Sequence, residues 1–144
     1  MITVIRTFSV TTPIDQVVTY LADFANAQAW DPGTQSCRPI GAGPVAVGST
    51  WHNVSTFRGK QTELTYRLVR RNADRLTFEG KNKSATSTDD LTFVAAPIGG
   101  TTITYRADIR FSGLIRLVGW VAQREFNKLD DQTAEQMTRV LNAL

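Results

Sequence analysis

Three features of the 144-residue sequence predict an α+β fold in which a curved antiparallel β-sheet wraps around one long C-terminal α-helix. After Gly119 there is neither glycine nor proline up to Leu144, and Val118, Ala122, Phe126, Leu129, Met137, Val140 and Leu144 recur every three or four positions. Thr133 fills the one polar gap, while Arg124, Lys128, Asp131, Glu135 and Arg139 lie off the stripe, as in an amphipathic helix. From about Thr50 to Phe111, apolar and polar residues alternate with period two between turn signals, the pattern of antiparallel strands with one wet face. Between the first strand and this meander lie the signals of two short helices. One helix must therefore cover a large sheet. A straight helix of roughly 30 to 40 Å cannot follow a strongly twisted sheet along its whole length, and the gap left behind is a candidate ligand cavity.

The elements follow in order. Residues 2–10 read as a strand with Val4, Phe8 and Val10 on one face. In Thr12-Pro13-Ile14-Asp15, Thr12 reads as an N-cap, Pro13 as the first helical residue, whose missing N–H costs nothing there, and Asp15 as favouring the positive helix end. Ile14, Val17, Val18 and Leu21 make the apolar face, and Asp23 to Trp30 reads as a second short helix stopped by Asp31-Pro32-Gly33. Glycines and Pro44 between Gly41 and Gly48 mark a change of direction. Strands are then expected at 51–57, 62–70, 75–80, 86–95 and 101–111, joined by short polar links that imply antiparallel neighbours.

Size and composition suit a single domain over residues 1–144, large enough to bury roughly 68 to 70 per cent of its unfolded surface without a metal or disulfide. One thiol, Cys37, cannot form an internal bridge, and the amino terminus shows neither a basic leader nor a long apolar run, so a cytoplasmic protein is expected. No stretch approaches the 18 or so apolar residues of a membrane span, and stable membrane insertion is not expected. The net charge of +3 is weak and dispersed. Its densest group, Arg67, Arg70, Arg71 and Arg75, reads as a solvated strand face and turn, which argues against a nucleic-acid partner.

The segments Phe8-Ser9-Val10-Thr11-Thr12-Pro13 with Val17, Leu21-Ala22-Asp23 followed by Trp30, 44–49, Phe78-Glu79-Gly80, and Gly99-Gly100-Thr101-Thr102-Ile103-Thr104-Tyr105 occur in an order and spacing that carry a resemblance. Over nearly the whole chain the sequence resembles the START-like or SRPBCC superfamily, which includes polyketide cyclases and dehydratases and lipid-transfer domains. The resemblance implies the helix-grip fold and a hydrophobic small-molecule ligand held between sheet and long helix. Only some members do chemistry on that ligand, so fold alone leaves function open.

Strand alternation assigns Leu64, Tyr66, Leu68, Leu76, Phe78, Leu91, Phe93, Ile103, Tyr105, Ile109 and Phe111 to the helix-facing side. Tyr66 and Tyr105 stand out because a buried phenol needs a hydrogen-bond partner. Arg6, Asn53 and Asp89 fall on the same inward faces, where a charge is costly unless paired or reached by water. Two readings stay open for them: an Arg6–Asp89 pair or an edge position that turns one outward, and a polar patch anchoring the oxygenated end of a ligand. Trp30 and Trp51 read as plugs at the cavity ends. The candidate ligand-binding set is Trp51, Leu64, Tyr66, Phe78, Asp89, Leu91, Tyr105, Trp120 and Phe126. The segment 114–121, apolar all round, either packs under the first helices or forms a mobile cavity entrance or a subunit contact, which leaves a homodimer open.

Much catalytic chemistry lacks its residues. His52 is the only histidine and points outward if Trp51 points inward. Asp89 and Asp90 face opposite ways in a strand, and Asp130 and Asp131 are expected on the helix surface. Neither a phosphate loop nor a Gly-x-Ser-x-Gly nucleophile motif is present, and no metal site or cofactor is expected. Any catalysis would fall to Asp89, Tyr66, Tyr105 or Arg6. The sequence thus points to binding of a lipophilic small molecule. The alternatives are a metal-free cyclase/dehydratase-like enzyme acting on an aromatic or polyketide substrate, and an interaction module using 114–121.

Overall fold

The computed structural model describes residues 1–57, 59–112 and 119–144, with the side chains of 119–122 left out. The elements are β1 (Ile2–Val10), α1 (Ile14–Ala22), a 3₁₀ turn (Phe24–Asn26), α2 (Ala27–Trp30), β2 (Thr34–Ile40), β3 (Thr50–Phe57), β4 (Lys60–Asn72), β5 (Arg75–Lys81), β6 (Ala85–Ala95), β7 (Thr101–Phe111) and α3 (Gly119–Asn142). Among the described residues seven strands form one antiparallel, unclosed sheet in the order β1-β7-β6-β5-β4-β3-β2. The long helix α3 packs closest against β1 and α2.

The strand the alternation pattern does not show is β2. In Thr34-Gln35-Ser36-Cys37-Arg38-Pro39-Ile40 only Thr34 and Cys37 are buried, because β2 is an edge strand pairing with β3 alone. An edge also tolerates Pro39, whose missing N–H would break a central ladder.

Two local expectations change. The cap residue of α1 is Pro13, with φ −60° and ψ 151°, and no side chain caps the helix. Thr12 instead donates its hydroxyl to the Leu141 carbonyl oxygen at 2.5 Å, while Asn142 Oδ1 accepts from the Thr11 amide at 2.8 Å, so the β1–α1 corner closes the end of α3. The buried line of α3 runs through Asp130, Thr133, Met137 and Leu141, with Phe126, Leu129 and Val140 half-buried. Leu144 lies beyond the helix end and is 49 % exposed. Asp130 is thus on the buried face and not on the helix surface.

One end of the sheet is solid. Leu68, Leu76, Phe78, Leu91, Phe93 and Ile103 from the strands meet Val17, Leu21 and Phe24, with Met137 and Leu141 of α3 completing the core. Burying each such large side chain is worth about 1.5–3 kcal/mol. Phe24 is the hub: its ring centroid lies 4.4 Å from Tyr66, 4.6 Å from Phe78 and 5.8 Å from Trp30. Asp23 binds this region together by accepting from the Ala25 amide and from Trp51 Nε1, each at 3.1 Å.

Candidate functional site

Toward the other end of the sheet the inward residues shrink. The pairing register aligns Tyr66, Gly80, Ser87 and Ile109 across β4 to β7, with Asp89 and Ala107 paired one step further along and Ala85 nearer the strand end. A cavity of about 150 Å³ opens between these strands and the middle of α3, at Phe126, Leu129, Asp130 and Thr133. Gly80 is required by the close approach of Tyr66: a Cβ there would fall 2.6 Å from the ring carbon bearing the hydroxyl. With Phe24 near it and Gly80 beneath, the Tyr66 ring has a fixed place. At the rim Phe57 stacks on Phe126 at 4.5 Å and 9°, and Phe111 lies 6.4 Å from Phe126. The three half-buried rings give the cavity an aromatic margin.

The cavity lining is acidic, with Asp89 and Asp130 buried and Asp31 half-buried. Asp31, Asp89 and Asp130 all line it, and the lining includes no Lys, Arg or His among the described residues. Asp89 is 5 % exposed and accepts from Ser87 Oγ on one oxygen and Tyr105 Oη on the other, both at 3.2 Å. Burial pushes its carboxyl up to about 7, helped by the charges of Asp31 and Asp130 and opposed by those two donors. Asp130 is also pushed up to about 7, first by burial and then by Asp31 and Asp131, with Arg6 opposing. Burial raises Asp31 too, against hydrogen bonds from the Gly33 amide (3.0 Å) and Thr34 Oγ1 (2.8 Å). Tyr66 and Tyr105 are pushed well above the usual phenol range by burial and by Asp89, so both stay protonated donors.

Of the candidate residues, Leu64, Tyr66, Asp89, Tyr105 and Phe126 line this cavity. Trp51, Phe78 and Leu91 do not: all three are fully buried in the solid core, and Trp51 is held by Asp23. Trp120 and the whole segment 114–121 lie outside the residues whose side chains are described, and with them the expectations of a cavity entrance and of a subunit contact. Arg6 neither pairs with Asp89 nor lines the cavity. It sits on edge strand β1 and donates through Nε to Asp131 at 2.7 Å and through Nη2 to the Asn127 carbonyl at 3.0 Å, tying β1 to α3. Asn53 is buried, donating to Thr34 Oγ1 at 3.1 Å. Trp30 is buried in the core beside Tyr105. His52 faces outward, 3.4 Å from Glu63, and Asp90, on the opposite side from Asp89, is clamped by Arg75 at 2.8 and 3.0 Å.

Sequence reasoning missed Asp31 and Asp130. Asp31 looked like a helix stop because its side chain does close a turn, onto Gly33 and Thr34. Asp130 had a signal: it stands four residues after Phe126 and seven before Met137, on the buried stripe itself. Among the described residues no group of three or more His, Cys, Asp or Glu is placed to hold a metal ion, and no helix is long and apolar enough to cross a membrane.

An open antiparallel sheet gripping a C-terminal helix over an internal cavity defines the helix-grip class. The chain belongs to the polyketide cyclase/dehydrase and lipid transport family, whose model matches residues 1–142. No curated protein matches it in sequence. Among solved structures it is similar to TTHA0849 of Thermus thermophilus, with a TM-score of 0.81 at 12 % identity over 98 % of this chain and 97 % of that one. It is similar to the Zhui aromatase/cyclase of Streptomyces sp. R1128, with a TM-score of 0.75 at 13 % identity over 98 % and 91 %. It is also similar to the STAR-related lipid transfer protein of Xanthomonas axonopodis, with a TM-score of 0.76 at 13 % identity over 96 % of this chain and 85 % of that fragment. At these identities the likeness is one of fold, here START-like.

Proposed function

We propose that the protein binds a small lipophilic molecule with one polar end, its apolar body against Phe57, Phe111 and Phe126 and its polar end among Asp89, Tyr105 and Asp130. The observation that carries this reading is the cavity itself, apolar at its rim and rich in donors and acceptors at depth. Its size favours a compact ligand, since a hydrocarbon-lined cavity of about 150 Å³ in another protein admits benzene. The family's joining of cyclases with lipid transport supports a hydrophobic ligand. The free, buried Cys37, its thiol pushed up to about 11 by burial, suits a reducing compartment such as the cytoplasm. An environment-sensitive hydrophobic dye should bind once per chain. Leu64→Trp should abolish that binding while leaving the protein folded, because the space beside Leu64 accepts the added bulk. Unfolding by Leu64→Trp, as in an overpacked core, would sink the cavity reading.

A second reading, a cyclase/dehydratase-like enzyme working by proton transfer, is favoured by the placement of Asp89 and Asp130, two buried carboxyls that line one cavity and that burial pushes up to about 7. Under it, Asp89→Asn should retain ligand affinity and depress turnover about 100-fold or more. Equal turnover by wild type and variant would remove it.

A further inference from the structure

We infer that the deep end of the cavity takes a protonated amine, so that the ligand is a compact lipophilic amine and not a lipid anion. This rests on the cavity being a ligand site, as proposed above. Three acids from three separate elements face one cavity: Asp31 follows α2, Asp89 lies on β6 and Asp130 on α3. An acidic cluster alone would say little, but Asp130 adds a second observation. It is 6 % exposed, lines the cavity, and its Oδ2 has no hydrogen-bond partner among the described residues. A buried oxygen without a donor costs free energy that an incoming N–H would recover.

Among the described residues no side chain supplies such a donor. Arg6 is the cation facing Asp130, and its Nε and Nη2 are committed to Asp131 and the Asn127 carbonyl. Asp131 adds a like charge. Tyr105 and Ser87 spend their hydroxyls on Asp89. Tyr66 also faces Asp89, as a phenol that stays neutral. Among the described residues a carboxylate or phosphate ligand would meet three acids and no cation, which is repulsive selection against it once Asp89 and Asp130 are ionised. An alcohol offers one neutral donor. An ammonium offers several, and charge-assisted bonds are about twice as strong as neutral ones.

Ion pairing also has a proton balance. Near neutrality the cavity acids are partly protonated, so the ammonium displaces a proton from a carboxyl to the buffer, and the pair formed is ammonium with carboxylate. Affinity for an amine should therefore rise with pH through the range in which Asp89 and Asp130 ionise, until the amine itself loses its proton.

Benzylamine, benzyl alcohol and benzoate share one ring and differ in the group offered, so calorimetric titration of the wild-type protein with each tests the inference. Benzylamine is expected to bind at least about tenfold more tightly than benzyl alcohol, as a charge-assisted bond should over a neutral one. It should release protons in buffers of different ionisation enthalpy and tighten from about pH 5.5 to about pH 8. Benzoate should not bind at about pH 8, where Asp89 and Asp130 are ionised. Asp130→Asn should bring benzylamine down to the affinity of benzyl alcohol. Benzyl alcohol binding as tightly as benzylamine, or any binding of benzoate at about pH 8, overturns the inference, as does an amine preference intact in Asp130→Asn. Should that variant not fold, proton release by the wild type decides alone: none means no ion pair. If the dye or benzyl alcohol binds and benzylamine does not, the amine is wrong and the cavity reading survives. If none of the four binds, both fall together.

Discussion

The two ends of this sheet are made by the same strands and covered by the same helix, yet one is filled and the other hollow. At the filled end the inward positions hold Leu68, Leu76, Phe78, Leu91 and Ile103, and the helix brings Met137 and Leu141, all essentially inaccessible. Moving along the same strands, the inward positions become Gly80, Ala85, Ser87 and Ala107, and the helix brings Phe126, Leu129 and Asp130. Two causes coincide. The short helices after β1 wedge Val17, Leu21 and Phe24 into the filled end, and small residues along the other end leave space between sheet and helix unoccupied. Polar groups follow the same division. A charge in the filled core would be ruinous, whereas Asp89 and Asp130 persist beside a cavity at the cost of carboxyl groups pushed to about 7.

The sharpest way to break this comparison is to truncate at the filled end. Phe78→Ala should cost about 3–5 kcal/mol in urea denaturation, the range for a large aromatic lost from a close-packed core. Leu64→Ala, beside the cavity, should cost well under half of that, because Leu64 is only half-buried and borders open space. Equal losses would show that the ends are packed alike.

A smaller effect comes from charge. Asp130 binds its proton more tightly folded (pKa about 7) than unfolded, so the folded state holds more protons across the interval between the two values. The ligand-free protein therefore loses stability as pH rises through that interval, and the loss is complete above about 7. Asp90, held low by Arg75, titrates below this window and does not mask it. Asp130→Asn should accordingly stabilise the ligand-free protein by about 1–3 kcal/mol at about pH 8 and by much less at about pH 5. Denaturation curves at the two pH values would show it, and destabilisation at pH 8 would mean that Asp130 has a partner.

The smallest expected change is at the rim. Phe126→Ala removes a half-buried ring stacked on Phe57 and should cost about 1 kcal/mol, near the worth of an aromatic pair. Its larger signature should be kinetic: a bound dye should leave several-fold faster, measured by stopped-flow displacement. Unchanged release would place the entrance elsewhere.

Much of this architecture was legible because periodicity is a local property. The period of two in 101–111 and the period of 3.6 after Gly119 state which side of each element is apolar, and the faces of Tyr66, Asp89 and Tyr105 follow from counting. Edge strand β2 escaped because an edge buries few side chains and so carries little alternation. What lies opposite a face is not local. Nothing near Arg6 in the chain says that its partner is Asp131, 125 residues away, and nothing near Asp130 says that this charge meets Asp89 and Asp31 across a cavity instead of water. By itself the sequence determined the order, type and inner faces of most elements, because those are set by steric and hydrophobic repeats along the chain. Only the tertiary structure decided where the core stops and the cavity starts, and which acids share it, because a void and a field belong to surfaces brought together from separate elements.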